Sequence, residues 1–320
     1  MAALLLIVSF CATVTWLARI YALRRNLMDH PGERRSHQVA TPRGGGVAIV
    51  VSVLLAMAAG AVIWPPFSPS LGGFSLGLVL VAGIGWWDDH RPLSAFTRLA
   101  VHALAALLLA SLVWHATADI AHSVLALLIT LSLINIWNFM DGINGLAVTQ
   151  ACLVAAVFAL ILPAPFAFAA LVVLAACVGF LPFNFPRAKI FLGDVGSGGL
   201  GYTLAGLLCL ASVTTRTNWL VLLLPLTVFL VDAGLTLLLR IVTGEQWMQP
   251  HTQHLYQRWT KCGTSHAVVT CTYAVYTLFG ITLALISREQ PAGLAGGIAA
   301  SWLLLSAVVW IFLRRRVGDQ

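Results

Sequence analysis

Carboxylates and carboxamides recur in three short motifs of this 320-residue chain, and their spacing could do chemistry on phosphate groups. Asp88 and Asp89 close the run Gly85-Trp86-Trp87. Asn135, Asn138, Asp141, Asn144 and Gly145 fall within eleven consecutive residues, and Phe191-Leu192-Gly193-Asp194-Val195-Gly196-Ser197-Gly198 follows later. Adjacent aspartates repel one another unless a cation or a shared proton relieves them. Oxygen ligands with open positions suit a hard cation such as Mg²⁺, which keeps waters and takes one or two carboxylates plus substrate phosphates. Taken singly, each motif also has an ordinary reading: a solvated helix end, an Asp-Gly turn, or a helix cap.

Two basic loops add to these. Residues 29–46 carry Arg34, Arg35 and Arg43 ahead of Gly44-Gly45-Gly46, offering cations and backbone amides to phosphates. The second loop carries His251 and His254, three residues apart and able to share a helix face. Contact with phosphate or sugar outranks metal ligation for that pair. The amides that open the helix after Gly193 also favour an anion.

The elements that hold these groups must lie in a membrane. Hydrophobic residues make up 60% of the chain and charged residues 9%, and the mean hydropathy is +0.92. A soluble domain carries about 25% charge, so soluble enzymes and nucleic-acid-binding modules are excluded despite a net charge of +7. The six cysteines show no paired spacing and read as small buried apolar residues.

Apolar runs long enough to span a bilayer predict an all-α polytopic transmembrane protein of about eleven spans. They fall near 2–23, 46–64, 71–87, 98–116, 121–138, 146–162, 166–184, 197–213, 218–240, 266–287 and 292–313. Trp64, Trp86, Trp87, Trp114, Trp137, Trp219 and Trp310 sit near span ends, where interfacial anchors are expected. With the N-terminus outside and the C-terminus cytoplasmic, fifteen of the 18 Lys and Arg residues fall in inner segments. Only Arg216 and Arg288 lie in outer loops, and Arg19 lies within the first span. That bias matches the positive-inside rule and gathers loops 24–45, 88–97, 139–145, 185–196 and 241–265 on the cytoplasmic face. Residues 1–320 read as a single integral membrane domain without internal repeats.

At these residues the chain resembles the polyprenyl-phosphate N-acetylhexosamine-1-phosphate transferases, in motif order over nearly its whole length. The resemblance rests on Pro31-x-x-Arg34…His37…Pro42-x-Gly44-Gly45, on Asp88-Asp89, and on Asn135-x-x-Asn138-x-x-Asp141-Gly142-x-x-Gly145. It continues through Asn184-x-Pro186…Phe191-x-Gly193-Asp194-x-Gly196-Ser197 to the late histidine loop. It implies transfer of a sugar-1-phosphate from a UDP-N-acetylhexosamine to undecaprenyl phosphate, with release of UMP at a cytoplasmic active site in the bacterial inner membrane. Mg²⁺ is the implied cofactor, with Mn²⁺ as an allowed substitute. Carried over by position, Asp194 and Asp88 would hold the metal, and Asp88 and Asp89 would orient or deprotonate the lipid phosphate. Asn138, Asp141, Asn144, Asn184 and Phe191 would line the nucleotide pocket, with Phe191 against the uracil. Arg43, His251 and His254 would meet phosphate or sugar, and a homodimer is allowed.

The late loop departs from the N-acetylglucosamine branch: where an Arg is expected between the histidines, this chain has Thr252. That loop is closer to the O-antigen branch of lipopolysaccharide synthesis, which uses 6-deoxy sugars such as N-acetylfucosamine or N-acetylquinovosamine; N-acetylglucosamine stays open. Two rivals come from other classes. A transporter would use Asp232 and Arg240, eight residues apart in one apolar run, as pathway groups. A non-catalytic scaffold for polysaccharide assembly would need none of the aspartates.

Overall fold

Apolar residues face outward as well as inward, as they must where lipid is the solvent. The computed structural model describes residues 1–32, 39–164, 166–215, 217–246, 249 and 251–317. Arg34, Arg35 and His37 of the first basic loop, and Arg216 of a loop expected to lie outside, fall outside the described residues. Helices α1 (Ala2–Arg24), α2 (Val47–Ile63), α3 (Ser68–His90), α4 (Ala95–Thr117), α5 (Ile120–Phe139), α6 (Leu146–Ile161) and α7 (Ala167–Asn184) come first. After them come α8 (Gly193–Thr215), α9 (Trp219–Leu223), α10 (Thr227–Val242), α11 (Leu255–Lys261), α12 (His266–Ser287) and α13 (Ala292–Arg316).

The all-α polytopic architecture is as expected. Among the described residues, nine helical segments are long and apolar enough to cross a membrane, with α9 and α10 counted as one. The apolar helices α2 and α6, with 17 and 16 residues, fall where two further spans were expected. At 1.5 Å per residue they reach about 25 Å, short of the roughly 30 Å hydrocarbon core.

α8 sits at the centre, and sixteen of its 23 residues are buried. Its run of glycine, serine and alanine explains why. Without a hydrophobic force between helices in lipid, close backbone approach by small residues drives association. A Cβ at Gly201 would run into the backbone of Leu133 on α5. α8 packs on α3, α5 and α6, and α7 joins α1 and α6 around it. The same glycine-rich sequence that lets α8 enter the centre also forms the turn that carries Asp194.

Two of the expected interfacial tryptophans prove to be core residues. Trp137 is fully buried and its indole N–H donates to the Ala147 carbonyl at 3.2 Å. Trp310 is buried and donates to Asp232 at 3.0 Å. An indole N–H needs a partner in a dry interior, and both find one inside the helix packing instead of at a headgroup layer.

A two-stranded antiparallel ladder, β1 (Met28–Asp29) with β2 (Thr41–Pro42), pairs Met28 with Pro42 and Asp29 with Thr41. It brings the ends of the first basic loop together and delivers Arg43 and the glycines to the head of α2.

Candidate active site

Five loops meet at one end of the helices, and hydrogen bonds join each to the next. Phe191 donates its N–H to the Pro42 carbonyl at 2.8 Å, and Gly45 N–H donates to the Phe191 carbonyl at 2.9 Å. This lays the glycine segment alongside the Asp194 turn. Asn184, buried at the end of α7, accepts from Gly145 N–H and donates to the Ile190 carbonyl, both at 3.0 Å. Asn144 donates to the Pro186 carbonyl at 3.1 Å. Asn184 and Asn144 therefore tie the loop after α5 to the loop after α7.

Asp88 and Asp194, from α3 and α8, converge on one cationic atom. Arg98 Nη1 lies 3.2 Å from Asp88 Oδ2 and 2.6 Å from Asp194 Oδ2. Asp88 Oδ1 accepts from Leu93 N–H at 2.7 Å, which fixes the carboxylate plane. Only four residues separate α3 from α4, so the chain turns back at once and places Arg98 in the first turn of α4. Two carboxylate oxygens from different helices, facing one positive charge and partly open to solvent, form a donor set of the kind Mg²⁺ uses with waters and phosphate oxygens. Among the described residues there is no cluster of three or more His, Cys, Asp or Glu side chains able to hold a metal by themselves.

Asp89 does a different job from its neighbour. It is 2% exposed. Its Oδ1 accepts from Asp194 N–H at 3.1 Å and its Oδ2 from Val195 N–H at 3.3 Å. The helix-start amides, read as an anion site, are thus taken up by a carboxyl from within the chain. Gly193, at φ +71°, makes this approach possible, because a Cβ there would strike the Asp89 carboxylate. Arg43 donates from Nη2 to the Asp89 carbonyl at 2.5 Å.

Asp141 belongs to the same group electrostatically. Burial pushes its carboxyl well above the usual carboxylate range, and the nearby charges of Asp194, Asp89 and Asp29 push it further. Asn138, one turn earlier, donates to the Ser197 hydroxyl at 3.1 Å, joining α5 to α8 beneath the aspartates.

The histidine loop packs on the Asp141 side. Tyr256 donates its hydroxyl to the Phe139 carbonyl at 2.8 Å, and His254 lies with its ring near those of Phe139 and Tyr256. The His251 and His254 rings are 4.8 Å apart. Among the described residues, no hydrogen bond or ion pair joins either histidine to Asp88 or Asp194. Around Thr252, Lys261 donates to its hydroxyl at 2.5 Å, and Arg314 donates to the Gln253 carbonyl at 2.8 Å. Cations therefore flank this loop although none stands at position 252.

Burial first, and then the neighbouring His254 and Arg240, lower the His251 imidazole to about 4. The unfolded value is higher, about 6.5, so folding favours the neutral ring. This contribution to stability is complete above about pH 6.5 and is lost as the pH falls towards 4. His251→Gln is expected to lessen acid sensitivity in that window, read as the difference in unfolding temperature between pH 7 and pH 5. An unchanged difference counts against it.

Two residues of this end were not legible as site residues. Arg98 counted only as a positive-inside charge; its signal was a cation one short turn after Asp88-Asp89. Asp232, 1% exposed in α10, anchors the histidine loop. Its Oδ1 accepts from Leu255 N–H at 2.8 Å, Trp310 at 3.0 Å and Thr236 at 3.5 Å. Its Oδ2 accepts from the Tyr273 hydroxyl at 2.8 Å and Tyr256 N–H at 3.4 Å. Asp232 thus caps α11 and draws α12 and α13 around it. Arg240 does not pair with it; it binds Glu245 at 2.7 Å and the Gln246 carbonyl at 2.7 Å.

Carboxylates, amides and cations thus gather at one end of the glycine-rich central helix of a polytopic helical protein. A family model for "Glycosyl transferase family 4" matches residues 71–212, which hold all three aspartate motifs. The chain is 31% identical to a decaprenyl-phosphate N-acetylglucosaminephosphotransferase of Mycobacterium tuberculosis, over 84% of this chain and 78% of that protein. The protein of that name in Mycolicibacterium smegmatis is 34% identical, over 81% and 74%. A probable undecaprenyl-phosphate N-acetylglucosaminyl 1-phosphate transferase of Bacillus subtilis is 26% identical, over 84% and 80%. The chain belongs to the polyprenyl-phosphate N-acetylhexosamine-1-phosphate transferase family.

Proposed function

We propose that this protein transfers a sugar-1-phosphate from a UDP-N-acetylhexosamine to undecaprenyl phosphate and releases UMP, at the cytoplasmic face of a bacterial inner membrane. The observation that carries this reading is the convergence of Asp88 and Asp194 on the Arg98 guanidinium, 3.2 and 2.6 Å away. An oxygen of the lipid phosphate attacks the sugar-linked phosphorus, a new P–O bond forms, and the bond to the UMP oxygen breaks. Anions must be brought together, so their charge has to be offset where it develops. Arg98 and Arg43 supply fixed cations. Asp88 and Asp194 would hold Mg²⁺, which when bound neutralises phosphate charge and orients the diphosphate. Asp89, with both oxygens given to α8, fixes the position of Asp194. Asn138, Asp141 and Phe191 face the nucleotide, and the His251–His254 loop meets sugar or phosphate. Both substrates meet in line because the lipid is confined to the interface. The sugar is a 6-deoxy-N-acetylhexosamine or N-acetylglucosamine, and the product starts an O-antigen or related surface polysaccharide.

The deciding experiment incubates the purified full-length protein with undecaprenyl phosphate, Mg²⁺ and a panel of UDP-sugars, and measures UMP. Release that requires lipid, metal and one sugar is the expected result; no release with any sugar supports the scaffold. The transporter reading is disfavoured because Asp232 and Arg240 spend their hydrogen bonds on α11 and on the loop after α10 rather than on a pathway.

Two further outcomes are expected. If Phe191 stacks on uracil, Phe191→Ala raises the KM for UDP-sugar about tenfold, with the lipid KM within about twofold. Equal shifts in both would sink the stacking assignment. For topology, a cysteine at Gln249 is expected to stay unlabelled by an impermeant thiol reagent in intact cells and to label after lysis. Labelling in intact cells reverses the orientation.

A further inference from the structure

We infer that Tyr256 and Thr270 are positioning residues for the UDP-sugar: their hydroxyls hold the segment that carries Asp141 and Asn144 from α11 and α12, as Asn184 holds it from α7. This rests on the transferase reading and adds the residues that set the nucleotide end of the site. Neither residue belongs to the aspartate motifs, and each ties a late helix to the loop between α5 and α6.

Thr270 spends its hydroxyl differently from the other helical threonines around it. A threonine hydroxyl inside a helix can bond back to the carbonyl four residues earlier, and those of Thr15, Thr130, Thr203, Thr272 and Thr282 do so. Thr270, 1% exposed on α12, instead donates to the Asn144 carbonyl at 2.9 Å. His266, one turn earlier on α12, accepts from the Asn144 N–H at Nδ1, 3.4 Å away. Two turns after Thr270, Thr277 donates to the Gln150 side chain of α6 at 2.6 Å. These bonds fix α12 against α6 and hold both backbone groups of Asn144.

Tyr256 acts on the other end of the segment. It is fully buried at the start of α11, and its hydroxyl donates to the Phe139 carbonyl at 2.8 Å. A Cβ at Gly142 would strike that hydroxyl and the ring, so the tyrosine occupies the space next to Asp141 that a side chain at 142 would take. The Tyr256 N–H and the Tyr273 hydroxyl share Asp232 Oδ2, at 3.4 and 2.8 Å. Tyr273 lies one turn beyond Thr270, so one buried carboxylate fixes the two clamps relative to each other. From α7 and the loop after it, Asn184 holds Gly145 N–H and the Pro186 carbonyl holds the Asn144 side chain. A segment held from both sets of helices keeps its polar groups in place, and a misplacement of about 1 Å at a reacting site is costly.

The test compares Thr270→Val, Thr270→Ser and Tyr256→Phe with the wild type as full-length proteins, with undecaprenyl phosphate and the UDP-sugar that supports UMP release. Loss of either hydroxyl should raise the KM for UDP-sugar about fivefold, the scale of one neutral hydrogen bond, with the lipid KM within about twofold. Thr270→Ser keeps the donor and should restore the wild-type value. Thr272→Val is the control, because that exposed hydroxyl bonds its own helix. Partial unfolding would lower turnover without moving either KM, so the split separates placement from stability. Hydrogen exchange of the 139–146 peptide, measured without substrate, should quicken in Thr270→Val and Tyr256→Phe and stay as in wild type in Thr270→Ser and Thr272→Val. Equal shifts of both KM values, no rescue in Thr270→Ser, or unchanged exchange overturns the assignment. If the wild type releases no UMP with any sugar, the transferase reading fails; faster exchange in the two variants then still supports the clamp, and unchanged exchange overturns it.

Discussion

Asp194→Asn is expected to lower the rate of sugar-phosphate transfer by about 10³-fold, the scale set by removing one charge aimed at a phosphoryl transition state. The fold should survive, for a reason visible in the site. Asp89 accepts from the backbone N–H of residue 194, so the α8 cap does not depend on that side chain. What is lost is one of the two carboxylates that face Arg98, and with it half of the donor set proposed for Mg²⁺. UMP release at saturating substrates, beside an unchanged unfolding temperature, checks both halves. Turnover within about tenfold of wild type would remove Asp194 from the chemistry and favour the scaffold.

Asp232→Ala is expected to be the most destabilising single change, costing on the order of 3 kcal/mol or more as buried donors lose their acceptor. Tyr273, Trp310 and the first amides of α11 all depend on this carboxylate. Transfer should fall with stability, because α11 carries Tyr256, which braces the end of α5 next to Asp141. Asp232→Asn keeps one acceptor oxygen but offers an amide N–H₂ where two donors now meet the other, so it should lie between the two. Thermal unfolding and limited proteolysis of residues 243–255 read the effect. A variant that unfolds at the wild-type temperature and resists protease would show that the histidine loop is held by other contacts.

The membrane class, the helices and the three aspartate motifs were legible in the sequence because they depend on local properties. Apolar runs bounded by polar turns mark helices in lipid whatever their neighbours do, and all eleven expected runs coincide with helices. Motif residues are close in sequence, so Asp88, Asp141 and Asp194 could be picked out before any packing was known. The division of labour within the motifs was not legible. Asp88 and Asp89 look equivalent in the chain, yet successive residues of a helix point about 100° apart. One faces Arg98 across the site and the other is sealed under α8.

The same reason separates the tryptophans. Trp86 and Trp137 both stand near a helix end, but Trp86 faces outward and Trp137 faces α6. Which way a helix turns its side chains is set by its partners, and in an all-round apolar helix nothing local announces it. Asp232 was visible as an expensive residue at membrane depth, without any sign of what it holds.

What the sequence by itself determined is the class of protein and the catalogue of reactive groups, because composition, run length and motif spacing are properties of the chain alone. Only the tertiary structure decided that Arg98 stands between Asp88 and Asp194, that Asp89 caps α8, and that Asp232 carries the histidine loop. Those pairings join residues about ten to a hundred positions apart, and each depends on how small residues let helices approach in a medium where an unpaired buried polar group is costly.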